Sequence, residues 1–188
     1  MMKVWGVTDT GLVRKQNQDA YGVDMNSDTG QVICVVCDGM GGPAGGDIAS
    51  RIAVDAFLQE VKSKLHAAMN PEQIRELSSY AASVANSAIR EEVRERAEYR
   101  GMGTTLVAAV SYAGGVVVSN VGDSRAYLIR PDGIRRVSKD HSLVEHLVDM
   151  GDITEAEART HPKRNYITRA LGPEESTLCD GFIVPMET

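Results

Sequence analysis

Cysteines and long apolar runs are scarce in this sequence. It has 3 cysteines in 188 residues, too few for a disulfide framework, which favours a reducing cytoplasm. No apolar run approaches the roughly 20 residues that a membrane-spanning helix needs. The N-terminus also lacks the basic segment, apolar stretch and small-residue cleavage site of a signal peptide. We therefore expect a cytoplasmic protein that does not associate with membranes.

An excess of basic residues is also missing. Lys and Arg number 20 against 26 Asp and Glu, which gives a formal net charge of −6. Nucleic acids and anionic membranes are bound by basic surfaces, so we expect neither as a partner. The apolar fraction of 43% and the charged fraction of 24% are typical of a globular domain. We expect residues 1–188 to form a single domain with a sizeable core.

The chemistry concentrates where an apolar run meets a series of glycines. Residues 32–36 are apolar and mostly β-branched, which predicts a buried strand. Asp38 follows the strand, and five of the eight residues 39–46 are glycine. A carboxylate at the end of a core strand is costly unless it is paired or bound to a cation, and glycine permits close approach of the backbone. We interpret this stretch as a pocket into which Asp38 points.

Apolar periodicity divides the chain into strands, two long helices and further strands. The predicted strands are 3–8, 20–23, 31–37, 104–111, 116–120, 125–129, 134–137 and 182–184. Helices are predicted from residue 47 to 65, from 70 to about 98, and over 142–150 and 154–159. This order indicates an α+β fold in which helices cover antiparallel sheets.

Two other functions fit the glycine stretch less well. Residues 39–44 match G-x-G-x-x-G/A, but Asp38 would place a negative charge against a pyrophosphate, and no strand follows about twenty residues later to carry the ribose-binding acid. Cys34 and Cys37 form a C-x-x-C, yet residues three apart on a strand point to opposite faces. We interpret them as two buried structural thiols.

A divalent-metal site remains compatible with the residues. Asp19, Asp38 and Asp123 each lie at the edge of a predicted strand beside turn residues. Magnesium and manganese prefer carboxylate, carbonyl and water oxygens, and the carbonyl of Gly39 would be accessible. Arg14 would suit bidentate binding of a phosphate. However, Asp-Gly and Gly-Asp-Ser are also common turn sequences, so composition alone leaves both interpretations open.

Five motifs, taken in order, resemble those of bacterial metal-dependent protein phosphatases of type 2C, the PPM family. They are residues 8–19, Asp38-Gly39-Met40-Gly41-Gly42, Gly103-Thr104-Thr105, Val121-Gly122-Asp123-Ser124-Arg125 and Ile167-Thr168-Arg169-Ala170-Leu171-Gly172. The resemblance covers about residues 3–185. It implies a four-layer α-β-β-α sandwich of two antiparallel sheets flanked by helices. It also implies hydrolysis of phosphoserine and phosphothreonine in proteins, with two or three Mn²⁺ or Mg²⁺ ions.

The resemblance also implies roles for individual residues. Asp38 would bridge two metal ions, and Gly39 would offer its carbonyl to one of them. Asp19 would act mostly through metal-bound water, and Asp123 would bind a third ion. Arg14 would hold the substrate phosphate while a water activated by the cations attacks phosphorus in line. Phosphoproteins and a cognate serine/threonine kinase system are the partners that follow.

The end of the sequence departs from this pattern. Family members continue to a Ser-Asp-Gly and an Asp-Asn motif whose aspartates complete the metal shell. We interpret Asp180 as a loop residue and not as a substitute, so we expect the C-terminal strands to be missing and self-association through incomplete sheets to be feasible. Residues 139–166 match the family's flap, within which we interpret His141 as structural. The alternative function is a catalytically weak or inactive phosphatase-like binding or regulatory module.

Overall fold

The computed structural model describes residues 2–26, 29–41 and 45–186. Its strands are β1 (Asp19–Met25), β2 (Val32–Met40), β3 (Gly103–Thr104), β4 (Leu106–Tyr112), β5 (Gly115–Val121), β6 (Tyr127–Arg130), β7 (Gly133–Arg136) and β8 (Asp180–Pro185). Its helices are α1 (Gly46–Lys64), α2 (Pro71–Glu95), α3 (Leu143–Met150) and α4 (Glu155–Thr160), with a 3₁₀ turn at Ala97–Tyr99. No helix in the described ranges has the length and apolar character needed to cross a membrane.

The described strands form one large antiparallel sheet and one hairpin. The sheet has the order β1-β2-β4-β5-β8, and β3 pairs with the last two residues of β2. Strands β6 and β7 form the separate hairpin. β2 lies inside the sheet between β1 and β4, which explains its almost continuous apolar sequence.

Helices α1 and α2 cover one face of the large sheet. α1 directs Ala49, Ala53, Phe57 and Val61 into the core at four-residue spacing, and all four are buried. α2 begins at a capping box in which Asn70 and Gln73 satisfy each other's backbone N–H groups. It buries a matching row of side chains: Ile74, Leu77, Ala81, Ala85 and Ile89. Each large side chain in this layer contributes about 1.5–3 kcal/mol by leaving water.

The hairpin lies against the other face of the sheet. Val107, Val118 and Val184 form a small buried cluster on that face, and Ala126, Leu128 and Val137 pack against it from the hairpin side. An ion pair between Arg136 and Glu145 ties the hairpin to α3. The hairpin is therefore a second β layer and carries the helical excursion that follows it.

The predicted α+β fold with helices over antiparallel sheets is confirmed, and two local predictions are wrong. Residues 3–8 are not a strand: they form no β ladder, and Trp5 and Val7 are 91% and 92% exposed. An alternating sequence forms a strand only where it meets a pairing partner, and the described part of the chain provides none. β2 also continues beyond Asp38, because Gly39 and Met40 pair with Thr104 and Gly103.

Residues 142–167 form a closed excursion from the sheet. Leu143 N–H donates to the carbonyl of Tyr166, and Thr168 N–H donates to the carbonyl of His141, each over 2.9 Å. Helices α3 and α4 lie in the segment that these two hydrogen bonds close. The ends of the excursion are thus fixed to each other, while its helices contain no fully buried residue.

The loop after residue 171 depends on one buried amide of α2. The Asn86 side chain is 2% exposed, accepts a 2.6 Å hydrogen bond from Gly172 N–H and donates to the carbonyls of Glu174 and Glu175 over 3.2 Å. Asn86→Ala would leave these backbone groups without their partner. We expect a loss of about 1–3 kcal/mol in the free energy of unfolding, measured in urea.

Ser87→Ala is the matched control, because the neighbouring side chain is exposed and bonds only within the helix. It is expected to change stability by no more than about 0.5 kcal/mol. Equal effects of the two substitutions would contradict this account of the loop.

Candidate active site

Two acidic residues face each other across neighbouring strands. The β1–β2 register places Asp19 directly opposite Asp38. Directly opposed residues of an antiparallel pair lie on the same face of the sheet, and like charges there destabilise the pairing. The backbone of Asp19 is also fixed by a local contact, since its N–H donates to the side-chain oxygen of Asn17 over 3.0 Å. The sheet therefore brings together two of the predicted site residues.

The electrostatics of Asp38 show a crowded acidic site. Partial removal from water raises its pKa to about 6, and the charge of Asp19, a hydrogen bond with the Asp19 side chain and the charge of Asp123 act in the same direction. The positive charge of Arg14 acts in the opposite direction. The other three predicted side chains thus lie within electrostatic reach of Asp38. A carboxylate in such surroundings favours either a proton or a cation.

The glycines after Asp38 allow the backbone to pack closely at the base of the site. A β-carbon on Gly39 would lie 1.9 Å from the carbonyl oxygen of Gly46 and 2.7 Å from that of Gln18. The N-terminus of α1 therefore rests directly on the strand that carries Asp38. The backbone carbonyl of Gln18 adds to this packing by accepting from Gly39 N–H at 3.1 Å and from the Ser50 hydroxyl at 2.7 Å. Gly42, the last glycine of the motif, lies outside the described residues.

Arg14 and the two aspartates line one cleft. The cleft has a volume of about 770 Å³, and the loop 9–18 forms its other wall. Its lining includes Arg14, Asp19, Asp38, Gly39 and Met40. An open cleft with acidic residues on its floor and a guanidinium on its wall can hold cations and a phosphate side by side.

Asp123 lies on a second loop, which two neighbours, Thr105 and His141, hold. A β-carbon on Gly122 would come within 2.6 Å of the Thr105 side chain, so glycine is required for this contact. His141 holds Gly122 twice, since its Nδ1 accepts from the Gly122 N–H at 3.0 Å and its own N–H donates to the Gly122 carbonyl at 2.9 Å. The hydroxyl of Ser124 lies 2.6 Å from that of Thr105. The structural interpretation of His141 is therefore confirmed.

Asp123 also borders a second cleft, of about 500 Å³, on the side of α3 and α4. The neighbouring Arg125 binds the buried carboxylate of Asp140 through Nε at 3.0 and 2.9 Å and through Nη2 at 2.5 Å. Partial burial and the charge of Asp140 raise the pKa of Asp123, and Arg125 opposes that shift. Asp123 thus lines the cleft beside the excursion 142–167 and not the cleft of Arg14, Asp19 and Asp38, although its charge acts on Asp38.

Asp180 is not a loop residue, which corrects the sequence prediction. It begins β8 opposite Asn120, and its carboxylate accepts from Arg169 at 2.7 Å and lies 3.2 Å from His141 Nε2. Burial alone would raise the pKa of Asp180, but the hydrogen bonds from His141 and Arg169 outweigh it and lower the pKa. Asp180 therefore forms an ionic network with His141 and Arg169.

The donor atoms of the first cleft suit a hard divalent cation with water in its shell. Among residues 2–26, 29–41 and 45–186, no three His, Cys, Asp or Glu side chains are grouped so as to hold a metal ion by themselves. The site instead offers the paired carboxylates of Asp19 and Asp38 and backbone oxygen. Magnesium typically binds through one or two carboxylates and keeps several waters. The oxygen-only donors therefore fit Mg²⁺ or Mn²⁺.

Sequence reasoning missed how three residues around the site act. Thr105 was recognised only as part of Gly103-Thr104-Thr105, and Ser124 and Arg169 only as members of their motifs. Their contacts join residues 9 to 67 positions apart in the chain, such as the 2.9 Å bond from Asp38 N–H to the Thr105 hydroxyl. The threonine pair in the third motif was the one available signal.

Comparisons with known proteins agree with this geometry. Residues 13–182 match the family model described as Protein phosphatase 2C. The serine/threonine phosphatase Stp of Listeria innocua is 40% identical over 181 residues, which are 96% of this chain and 71% of the relative.

Two solved structures extend the similarity to the fold. The serine/threonine phosphatase Stp1 from Staphylococcus aureus gives a TM-score of 0.89 at 39% identity, covering 96% of this chain and 70% of that one. The catalytic domain of the phosphatase PstP, solved in complex with two manganese ions, gives 0.74 at 30% identity, covering 93% and 69%. On this evidence, the chain belongs to the protein phosphatase 2C family.

Proposed function

We propose that this chain hydrolyses phosphoserine and phosphothreonine in proteins, using metal ions held at Asp38. The chain is a protein serine/threonine phosphatase of the 2C type by family. The observation that carries the proposal is the meeting of Asp19, Asp38 and Arg14 in one open cleft. That cleft combines cation-binding oxygens with a phosphate-binding guanidinium.

Asp38 is the central ligand in this proposal. Its carboxylate has two oxygens, lies opposite Asp19 and senses the charge of Asp123, so it can contribute to more than one ion. Gly39 would add its carbonyl, Asp19 would orient water, and Asp123 would hold a further ion. Mn²⁺ or Mg²⁺ ions, two or three in number, supply a water of lowered pKa as nucleophile when bound.

Arg14 supplies recognition of the phosphate. Its guanidinium projects from the wall of the cleft whose floor is Asp38, and its charge already acts on that carboxylate. A planar guanidinium binds two phosphate oxygens at once and so orients phosphorus toward the acidic floor. The cleft is open, which suits a phosphorylated side chain presented by a protein surface.

The region 139–166 is the flap in this proposal. It is tied at its base by the bonds around His141 and Leu143, and it borders the cleft beside Asp123. A segment fixed at its ends and lightly packed in its helices can adjust to different substrate proteins. A cognate serine/threonine kinase and a cytoplasmic location stay predictions.

Self-association through the sheet also stays a prediction. β1 pairs only with β2 in the described part of the chain, and large apolar side chains on the outer face of these strands are 41–47% exposed: Tyr21, Val23, Met25 and Val36. An exposed edge beside an apolar face favours pairing with another chain. The phosphatase-like binding or regulatory module remains the alternative function, and no contact among the described residues favours it.

Replacing the central carboxylate tests the enzymatic function. With p-nitrophenyl phosphate and manganese, we expect metal-dependent turnover that Asp38→Asn lowers at least about 100-fold, because the amide cannot carry the charge that holds the cations. Asp132→Asn, in the hairpin turn, is the charge-matched control and should retain parental turnover. A folded parent chain without manganese-dependent turnover would favour the binding module.

Replacing Arg14 tests recognition of the phosphate. Arg14→Lys keeps the charge but not the bidentate geometry, so we expect about a tenfold loss in kcat/KM on a phosphothreonine peptide, with a larger loss for Arg14→Ala. Lys3→Ala removes an exposed positive charge that does not line the cleft and should have little effect. If Arg14→Ala matched the parent, the phosphate would have to bind elsewhere.

The stability of metal-free protein should report the raised pKa of Asp38. Protonation of Asp38 stabilises the fold, so this contribution is complete below about pH 4 and is lost as the pH rises through about 6. Asp38→Asn cannot ionise. In EDTA we expect it to be more stable than the parent at pH 7, by roughly 1 kcal/mol after solvent screening, and equal near pH 4. Urea unfolding at the two pH values measures this difference; a pH-independent difference would contradict it.

A further inference from the structure

Thr105 is fully buried between β3 and β4, beside the strand that carries Asp38. Two reciprocal bonds join these residues: Asp38 N–H donates to the Thr105 hydroxyl at 2.9 Å, and Thr105 N–H donates to the Asp38 carbonyl at 3.0 Å. The hydroxyl of Thr104 adds a third bond to the same carbonyl, also at 3.0 Å. The backbone of Asp38 is therefore held on both its donor and its acceptor.

The same Thr105 hydroxyl reaches the loop of Asp123. Its oxygen lies 2.6 Å from the hydroxyl oxygen of Ser124. Since the Thr105 oxygen already accepts from Asp38 N–H, its own hydrogen is available for Ser124. One buried hydroxyl thus connects strand β2, which carries Asp38, with the loop that carries Asp123.

The methyl group of Thr105 makes the second half of the connection. It packs against Gly122, where any β-carbon would lie 2.6 Å from it. The hydroxyl and the methyl group therefore hold the chain on either side of Asp123 in sequence. A residue at this position needs a hydroxyl for the bonds and a small shape for the packing.

We propose that Thr105 is a positioning residue that fixes the separation of the Asp38 and Asp123 carboxylates, an inference that rests on the proposed metal-dependent function. Neighbouring carboxylates carry like charges, which favour a larger separation unless the backbones that bear them are fixed. Binding sites require ligand geometry held within a fraction of an ångström by surrounding hydrogen bonds. Thr105 supplies such bonds to β2 at Asp38 and to the loop of Asp123.

Two substitutions separate the hydroxyl from the methyl group. Thr105→Val keeps the shape beside Gly122 but leaves Asp38 N–H and Ser124 without their partner. Thr105→Ser keeps the hydroxyl and removes the methyl group. Ser124→Ala removes only the hydrogen bond between Thr105 and the loop of Asp123. Thr29→Val, in the exposed turn before β2, is the control for the Thr-to-Val change.

The first readout requires no metal. Hydrogen–deuterium exchange, read by mass spectrometry on peptides covering residue 38 and residues 122–124, measures how readily the backbone N–H groups of each segment open to solvent. We expect Thr105→Val to accelerate exchange in both segments about tenfold. Thr105→Ser should stay within about threefold of the parent, and Thr29→Val should change exchange in neither segment. Ser124→Ala should affect mainly residues 122–124.

The second readout is manganese binding by calorimetry, together with turnover. Thr105→Val should weaken manganese binding about tenfold, with Thr105→Ser close to the parent. The double variant Thr105→Val/Ser124→Ala should be no weaker than Thr105→Val alone, because both substitutions break one connection. A purely structural threonine would lower stability without this rescue by serine and without this non-additivity.

The outcomes separate this inference from the proposed function. If the parent chain neither binds manganese nor hydrolyses phosphate esters, the proposed function fails. The exchange rates still decide whether Thr105 connects β2 with the loop of Asp123. If the parent is active and Thr105→Val matches it in exchange and manganese binding, the inference alone fails. If Thr105→Ser and Thr105→Val accelerated exchange and weakened manganese binding equally, the inference would also be overturned, because the hydroxyl would then not be the group that positions the two carboxylates. Should Thr105→Val not fold, Ser124→Ala decides: unchanged exchange at residues 122–124 contradicts the connection.

Discussion

The opposition of Asp19 and Asp38 across two paired strands is the constraint on which the rest of the site depends. The strand register places the two residues directly opposite each other, so their backbones cannot separate without breaking the sheet. Partial desolvation and the charge of Asp19 raise the pKa of Asp38 to about 6, and the positive charge of Arg14, which lines the same cleft, opposes this shift. Repulsion between two carboxylates held together lowers the stability of the fold, and a bound cation would relieve it. The site therefore favours cation binding.

The supports of this acidic pair come from distant parts of the chain. The N-terminus of α1 rests on Gly39, so the helix layer limits movement of β2 from one side. Thr105, between β3 and β4, holds the backbone of Asp38, and His141 holds the loop of Asp123 from the base of the excursion. The ionic network of His141, Arg169 and Asp180 then joins that base to β8. The candidate site and the fold therefore depend on the same contacts.

Much of this arrangement could be predicted from the sequence, because local patterns determine it. The two long helices follow from apolar spacing and from the Asn-Pro start of α2, and the glycines after Asp38 indicated close backbone packing. Residues 3–8 were predicted as a strand because alternation is local, whereas pairing depends on a partner elsewhere. Asp180 was assigned to a loop because its role is set by Arg169 and His141, 11 and 39 positions away. The role of Thr105 likewise depends on a bond across 67 positions.

Asp38 is proposed to hold the metal ions on which hydrolysis depends. Crystals of this chain grown with manganese, with anomalous scattering recorded at the manganese edge, test this role. An anomalous peak is expected in direct contact with the Asp38 carboxylate and the Gly39 carbonyl, and it should disappear in Asp38→Asn. Manganese bound only elsewhere in the chain, with none at Asp38, would contradict it.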